Sequence, residues 1–127
     1  METLVEEVFR ILDIDKGGQK FKSVSRLEAV GINHNLKLKL DYNSDIYTLI
    51  PHDKFLLAMT LVTNETLIPS FDYVMSGKVF KEEFSPPNEI AIYISYGGLL
   101  MELIGDKDAL SRLALDNDVY LHIKKIE

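Results

Sequence analysis

The stretch AIYISYGGLLMELIGD, residues 91–106, sets one apolar run on each side of Gly97 and Gly98. If the two glycines are the central residues of a β-hairpin, Tyr96 pairs with Leu99, Ser95 with Leu100, Ile94 with Met101, Tyr93 with Glu102 and Ile92 with Leu103. One face then collects Ile92, Ile94, Tyr96, Leu99, Met101 and Leu103, all apolar or aromatic. The other collects Ala91, Tyr93, Ser95, Leu100, Glu102 and Ile104, a mixed set. One register that sorts both strands at once is what an antiparallel ladder produces. Two-residue hairpin turns need positive φ, which glycine adopts without steric cost. The competing reading is a phosphate-cradling loop. It requires spaced glycines before a helix, or a Gly-Lys-Ser/Thr run; neither is present, and the residues after the pair sort as a strand.

Segments of strand length continue on both sides of this hairpin. In LKLKLDY (36–42), Leu36, Leu38, Leu40 and Tyr42 alternate with Lys37, Lys39 and Asp41, the period of a half-buried strand. KFLLAMTLV (54–62) is apolar on both faces and reads as a central strand. FDYVMSGKVFKEE (71–83) carries Gly77 on the parity of Tyr73, Met75 and Val79, which predicts a bulge or a close backbone approach. VYLHIKKI (119–126) and KFKSVSRLEAV (20–30) complete the set, with IYTLI (46–50) short and ambiguous. Seven or eight short strands separated by turn residues predict an all-β antiparallel barrel or sandwich. Two places fit a helix instead. LVEEVFRIL (4–12) places Leu4, Val5, Val8, Phe9, Ile11 and Leu12 in one helical stripe. DKDALSRLAL (106–115) opens on Asp106 or Asp108 as caps, predicting a short helical turn near 107–113.

The bulk numbers set the bounds. A chain of 127 residues supports one domain, spanning 1–127, with one core. A net charge of −6 lacks the basic surplus that a free-standing nucleic-acid binder uses to neutralise phosphates, and suits docking on a basic protein surface. With no cysteine, the chain has no disulfides, thiolate catalysis or cysteine zinc site. The acidic N-terminal stretch does not resemble a secretory signal, and no apolar run approaches the roughly 20 residues of a membrane span.

Searches for catalytic or metal chemistry end in mismatches. DIDKGGQKFKSV (13–24) follows a calcium loop at Asp13, Asp15 and Gly18, but has Gly17 at the fifth place and Val24 where a bidentate glutamate is required. His34, His52 and His122 lack zinc spacing and read as surface or packing residues. Ser23, Ser25, Ser76 and Ser95 lie outside any Gly-x-Ser-x-Gly elbow. No cofactor is implied, and an unrecognised hydrolase or metal enzyme would need a polar pocket that the sequence does not display.

Taken together, DIDKGGQKFKSVSRL (13–27), DYNSDIYTLIPHDKF (41–55), FDYVMSGKVFK (71–81), YISYGGLLMELIGD (93–106) and VYLHIKKI (119–126) resemble one family. It is the eighth subunit shared by the eukaryotic nuclear RNA polymerases I, II and III. DYVMSGKV and SYGGLLM are its most specific pieces, and the match covers nearly the whole chain in the family's order. The resemblance implies a small eight-stranded antiparallel barrel related to the oligonucleotide-binding (OB) fold, built from two four-stranded halves. It implies that 4–12 is a strand, against the helical stripe. It also implies a non-catalytic, nuclear and nucleolar subunit that docks on the largest polymerase subunit near the pore side and supports assembly beside other core subunits. One departure is that TNETLIPS (63–70) stands where better-known members carry a long acidic loop.

The hairpin is then the expected protein interface: Tyr93, Ser95, Tyr96, Gly97, Gly98, Leu99 and Leu100. The alternative is a free single-stranded nucleic-acid-binding OB-fold module, with Lys37 and Lys39 on phosphates and Tyr42, Tyr47 and Tyr73 as stacking platforms. Against it, aromatics at strand spacing belong more often to a core, and direct nucleic-acid contact is not the expectation.

Overall fold

The computed structural model describes residues 3–15, 23–61 and 71–126. Eight strands follow in order: β1 (Thr3–Ile14), β2 (Val24–Gly31), β3 (Lys37–Asn43), β4 (Lys54–Thr60), β5 (Tyr73–Ser85), β6 (Glu89–Tyr96), β7 (Leu99–Asp106) and β8 (Asp118–Ile126). They close into an antiparallel barrel in the order β1-β2-β3-β7-β6-β5-β8-β4. This ring divides into two four-stranded halves, β4-β1-β2-β3 and β8-β5-β6-β7, each with the spatial order of a Greek key. The halves meet through like partners, β3 with β7 and β4 with β8.

The glycine hairpin has the register read from its sequence. Tyr96 faces Leu99, Ser95 faces Leu100, Ile94 faces Met101, Tyr93 faces Glu102 and Ile92 faces Leu103. Gly97 and Gly98 have φ of 62° and 102°, positive at both central positions as a type I′ turn requires. A Cβ at either position would meet nothing within 4 Å, so a side chain there has room and only the backbone objects. Gly98→Val is therefore expected to cost about 1–2 kcal/mol of backbone strain, read as a lower urea midpoint. An unchanged midpoint would exclude this turn type.

The first strand corrects the helical stripe. Residues 4–12 lie in β1, as the family resemblance implied. Register shifts, at Leu4 against β4 and at Leu12 against β2, break the period of two at both ends. Between them Val5, Glu7, Phe9 and Ile11 are buried in strict alternation. The charged Glu7 on the inner parity and the extra leucines at 4 and 12 together imitate a helical face.

Phe9 and Phe55 stack inside the barrel with ring centroids 5.8 Å apart, among Leu27, Leu40, Leu57, Ile92, Ile94, Leu103 and Leu121, all fully buried. The segment 44–53 forms no strand, which resolves the ambiguity of IYTLI, and sends Leu49 into the core. The segment after β7 makes one turn, with Leu110 N donating to Asp106 O (3.2 Å) and Leu113 N to Leu110 O (3.1 Å). It does not propagate into a helix, and it buries Leu110 and Leu113. The central part of the calcium-like stretch (16–22) and the 63–70 segment lie outside the described residues. Asp15 nonetheless has a structural use, accepting from Arg26 N at 3.0 Å.

Candidate protein interface

The mixed parity of the hairpin lies on the outer surface of the barrel. Cross-strand pairing lines up Glu28, Lys39, Glu102, Tyr93 and Lys81 across β2, β3, β7, β6 and β5. Charges alternate along this row, the favourable arrangement for directly opposed pairs. Tyr93 donates its hydroxyl to Glu102, and Lys81 Nζ sits 5.2 Å from the Tyr93 ring centre while pairing with Glu83 at 2.7 Å. Glu102, more than any other cause, pushes the Tyr93 phenol up to about 12.

Beside this row, Arg26 and Asp41 face each other across β2 and β3. The guanidinium holds the carboxylate with two bonds, Nε to Oδ1 at 2.6 Å and Nη2 to Oδ2 at 3.1 Å. The β3–β7 ladder stops at Leu40 and Met101, and there Leu100 N donates to Asp41 Oδ2 at 3.0 Å. A side-chain carboxylate thus replaces the next backbone acceptor. It fixes Leu100, whose side chain stays exposed. Phe80 occupies the shift in the β5–β6 register between Val79 and Lys81, and its ring lies 6.4 Å from that of Tyr93. Phe80, Tyr93 and Leu100, with Arg26, Lys39 and Glu102, line a shallow depression of about 220 Å³.

Of the expected interface residues, Tyr93, Ser95 and Leu100 share this outer face, and Gly97 and Gly98 form its exposed tip. Tyr96 points the other way: it is 5% exposed and its hydroxyl lies 3.3 Å from Met101 Sδ inside the barrel. Leu99 packs partly against the core. Parity reasoning missed Phe80, because a bulge residue belongs to neither parity. It also missed the Arg26–Asp41 clamp, which becomes visible only once the β2–β3 register is known.

The nucleic-acid alternative has less geometry behind it. Lys37 and Lys39 are exposed on β3, but Lys39 lies between Glu28 and Glu102. Tyr42 and Tyr73 are buried, and Tyr47 stacks on Tyr73 at 5.4 Å and donates to Asp72 Oδ2 at 2.9 Å. These rings are committed to packing rather than offered as platforms. His122 is fully buried, with Nδ1 3.2 Å from Ala58 O and its ring 5.1 Å from Phe71. His34 lies by Glu7, and His52 sits in the turn before β4. Among the described residues no three His, Asp or Glu side chains converge to hold a metal ion.

The tyrosines give the barrel a pH limit. Burial, as the leading cause, raises Tyr42, Tyr47, Tyr73 and Tyr96 above the usual phenol range, and Glu102 raises Tyr93. The folded state therefore keeps these protons longer than the unfolded chain, where tyrosine titrates near pH 10. Their contribution is intact below about pH 10 and is lost as pH rises through the folded-state values. Urea midpoints are expected to fall from about pH 10 to about pH 12, and a flat profile there would contradict the burial of these phenols.

A match to the family RNA polymerase Rpb8 spans residues 6–65 and 60–125. The chain belongs to the RNA polymerase Rpb8 family. Among its Rpb8-family relatives is the DNA-directed RNA polymerases I, II, and III subunit RPABC3 of Schizosaccharomyces pombe, 39% identical over 123 residues that cover 96% of both chains. The Arabidopsis thaliana DNA-directed RNA polymerases II, IV and V subunit 8B is 33% identical, covering 97% of this chain and 96% of its own. The Saccharomyces cerevisiae RPABC3 is 28% identical over 146 residues, covering 97% and 98%. Rpb8-family membership makes this chain a subunit of RNA polymerase and not a free-standing enzyme. The chain is shorter than the Saccharomyces relative, and the two stretches of the Rpb8 match meet at 60–65.

Proposed function

We propose that this single-domain barrel is a non-catalytic subunit shared by the nuclear RNA polymerases I, II and III, nucleolar polymerase I included. It docks on the largest subunit through the outer face of β6 and β7 and supports assembly of the enzyme beside the other core subunits. The observation that carries the reading is the outer face itself. Phe80, Tyr93 and Leu100 lie together there, with Leu100 held outward by the Asp41 carboxylate. Exposed apolar side chains gathered on one patch with a polar rim mark a partner surface, whereas scattered ones do not. The set I, II and III is the one named for the Schizosaccharomyces and Saccharomyces relatives; the Arabidopsis relative is named for II, IV and V, so polymerase II is common to all three names.

Leu100→Glu tests the reading. The side chain is exposed, so folding is expected to be kept, with a melting temperature within about 2 °C of the parent. Recovery of the largest subunits with the tagged variant is expected to fall at least about tenfold. Full recovery would remove this face from the interface, and loss of folding would place Leu100 in the core.

A further inference from the structure

Closing the barrel gives most strand edges a partner, and it also shows where β5 outruns its own. β5 pairs with β8 from Tyr73 to Lys78 and with β6 from Lys78 to Ser85. On the β8 side the last backbone bonds are Asp116 N to Val79 O (2.9 Å) and Val79 N to Asn117 O (3.0 Å). The other half has the same device, where Ile11 of β1 bonds Asp53 O and His52 N, both at 2.9 Å. Leu12 and Phe80 then hold equivalent bulges. Beyond the bulge β1 stops at Ile14, while β5 continues to Ser85. Along Lys81–Ser85 one side is laddered to β6, and among the described residues no strand pairs with the other. In an antiparallel strand alternate residues turn both N–H and C=O to that open side.

The residues along this edge are all exposed, and their chemistry is not that of a merely guarded edge. Lys81, Glu82 and Glu83 are the charges that keep an unpaired strand from aggregating. Phe80 and Phe84 are large, apolar and about half exposed beside them. Lys81 is tied to Glu83, and Lys107 Nζ lies 5.1 Å over the Phe84 ring, which leaves Glu82 and Glu89 to give the arm its negative character. Through Phe80 the edge is continuous with the Tyr93–Leu100 depression.

We propose that the open side of β5 from Lys81 to Ser85 receives an extended, basic segment of the polymerase chain on which this subunit docks, as an added strand. The inference rests on the docking reading above and specifies how the partner is held. Backbone bonds along the edge supply contact, and alternate side chains of the added segment supply selectivity. Basic side chains meet Glu82 and Glu89, and an aliphatic one packs on Phe80. A second copy of this chain is a poorer occupant. In the antiparallel register centred between Glu82 and Glu83, two such edges would oppose these carboxylates, and opposed like charges destabilise a ladder.

Amide hydrogen exchange of the free chain, compared with the chain inside purified polymerase, tests this. The amides of 81–85 that face away from β6 are expected to exchange freely in the isolated chain and to slow at least about tenfold in the enzyme. Glu82→Pro and Glu83→Pro provide the second measurement. These neighbours point to opposite sides, so one proline faces β6 and lowers the melting temperature. The other faces out and is expected to keep that temperature while reducing incorporation into polymerase at least about tenfold. Unchanged exchange at 81–85 in the enzyme, with Leu100→Glu still blocking incorporation, overturns the added strand and leaves face docking in place. Unchanged exchange together with full incorporation of Leu100→Glu overturns both. Slowed exchange that grows with the concentration of the isolated chain assigns the edge to a second copy and overturns the proposal.

Discussion

Gly77→Val is expected to destabilise the barrel by about 4 kcal/mol and to lower its melting temperature by more than about 10 °C. Gly77 sits on β5 next to Lys78, where the strand exchanges β8 for β6 as its neighbour. There β5 comes close to Ser95 and Tyr96 of β6. A Cβ on Gly77 would press on the Ser95 carbonyl oxygen and lie 2.6 Å from Tyr96 Cδ1. The first obstacle is the β6 backbone, which the hairpin register fixes, and the second is a core ring; neither yields as a flexible side chain does. The close approach anticipated from a glycine in an otherwise apolar parity is thus real, and the bulge lies three residues on at Phe80. Thermal melts of Gly77→Ala and Gly77→Val should fall in that order. A valine variant melting with the parent would show that β5 does not approach β6 so closely there.

The second large effect is expected at Glu7. Its side chain is 0% exposed, yet it is a carboxylate among strand residues. It accepts from Val8 N (2.8 Å), Asn33 N (3.1 Å) and His34 N (2.6 Å), and lies 3.0 Å from His34 Nδ1. The carboxylate therefore organises the turn between β2 and β3 from inside. Glu7→Leu removes every acceptor and should cost about 3 kcal/mol, because the backbone donors lose a charged partner. Glu7→Gln is expected to fall in between, since one amide oxygen can still accept. His34→Ala loses only a half-exposed partner and should cost less than about 1 kcal/mol. Urea titrations of the three variants check the order. A Glu7→Leu variant as stable as the parent would mean that the turn holds itself.

These two positions show what a sequence displays and what it hides. The β6–β7 hairpin was legible because its two strands share one register and its turn is all glycine, so periodicity and turn chemistry agree. The charged alternation of β3 and the apolar run of β4 were legible for the same local reasons. β1 was not. A buried carboxylate and register shifts at both ends hide its period of two, and only the family resemblance placed it as a strand. Barrel closure depends on β3 meeting β7 and β4 meeting β8, pairings between distant segments that no local pattern encodes. On the outer face proposed as the interface, the outward placement of Tyr93, Ser95 and Leu100 was readable from parity. Phe80 escaped because bulge residues have no parity, and Tyr96 was drawn in by adjacency although its ring turns inward. The Arg26–Asp41–Leu100 clamp joins three strands and emerges only after folding.

The central claim is that this barrel works as a built-in part of polymerase, held by the largest subunit. The most direct measurement is purification of the tagged parent chain from its own cells under conditions that keep polymerases whole, followed by quantitation of what comes with it. The account predicts the largest subunits of polymerases I, II and III in a one-to-one ratio summed against the tagged chain, retained after a high-salt wash. Recovery of the chain free of any largest subunit, or bound instead to nucleic acid in a salt-sensitive way, would contradict it.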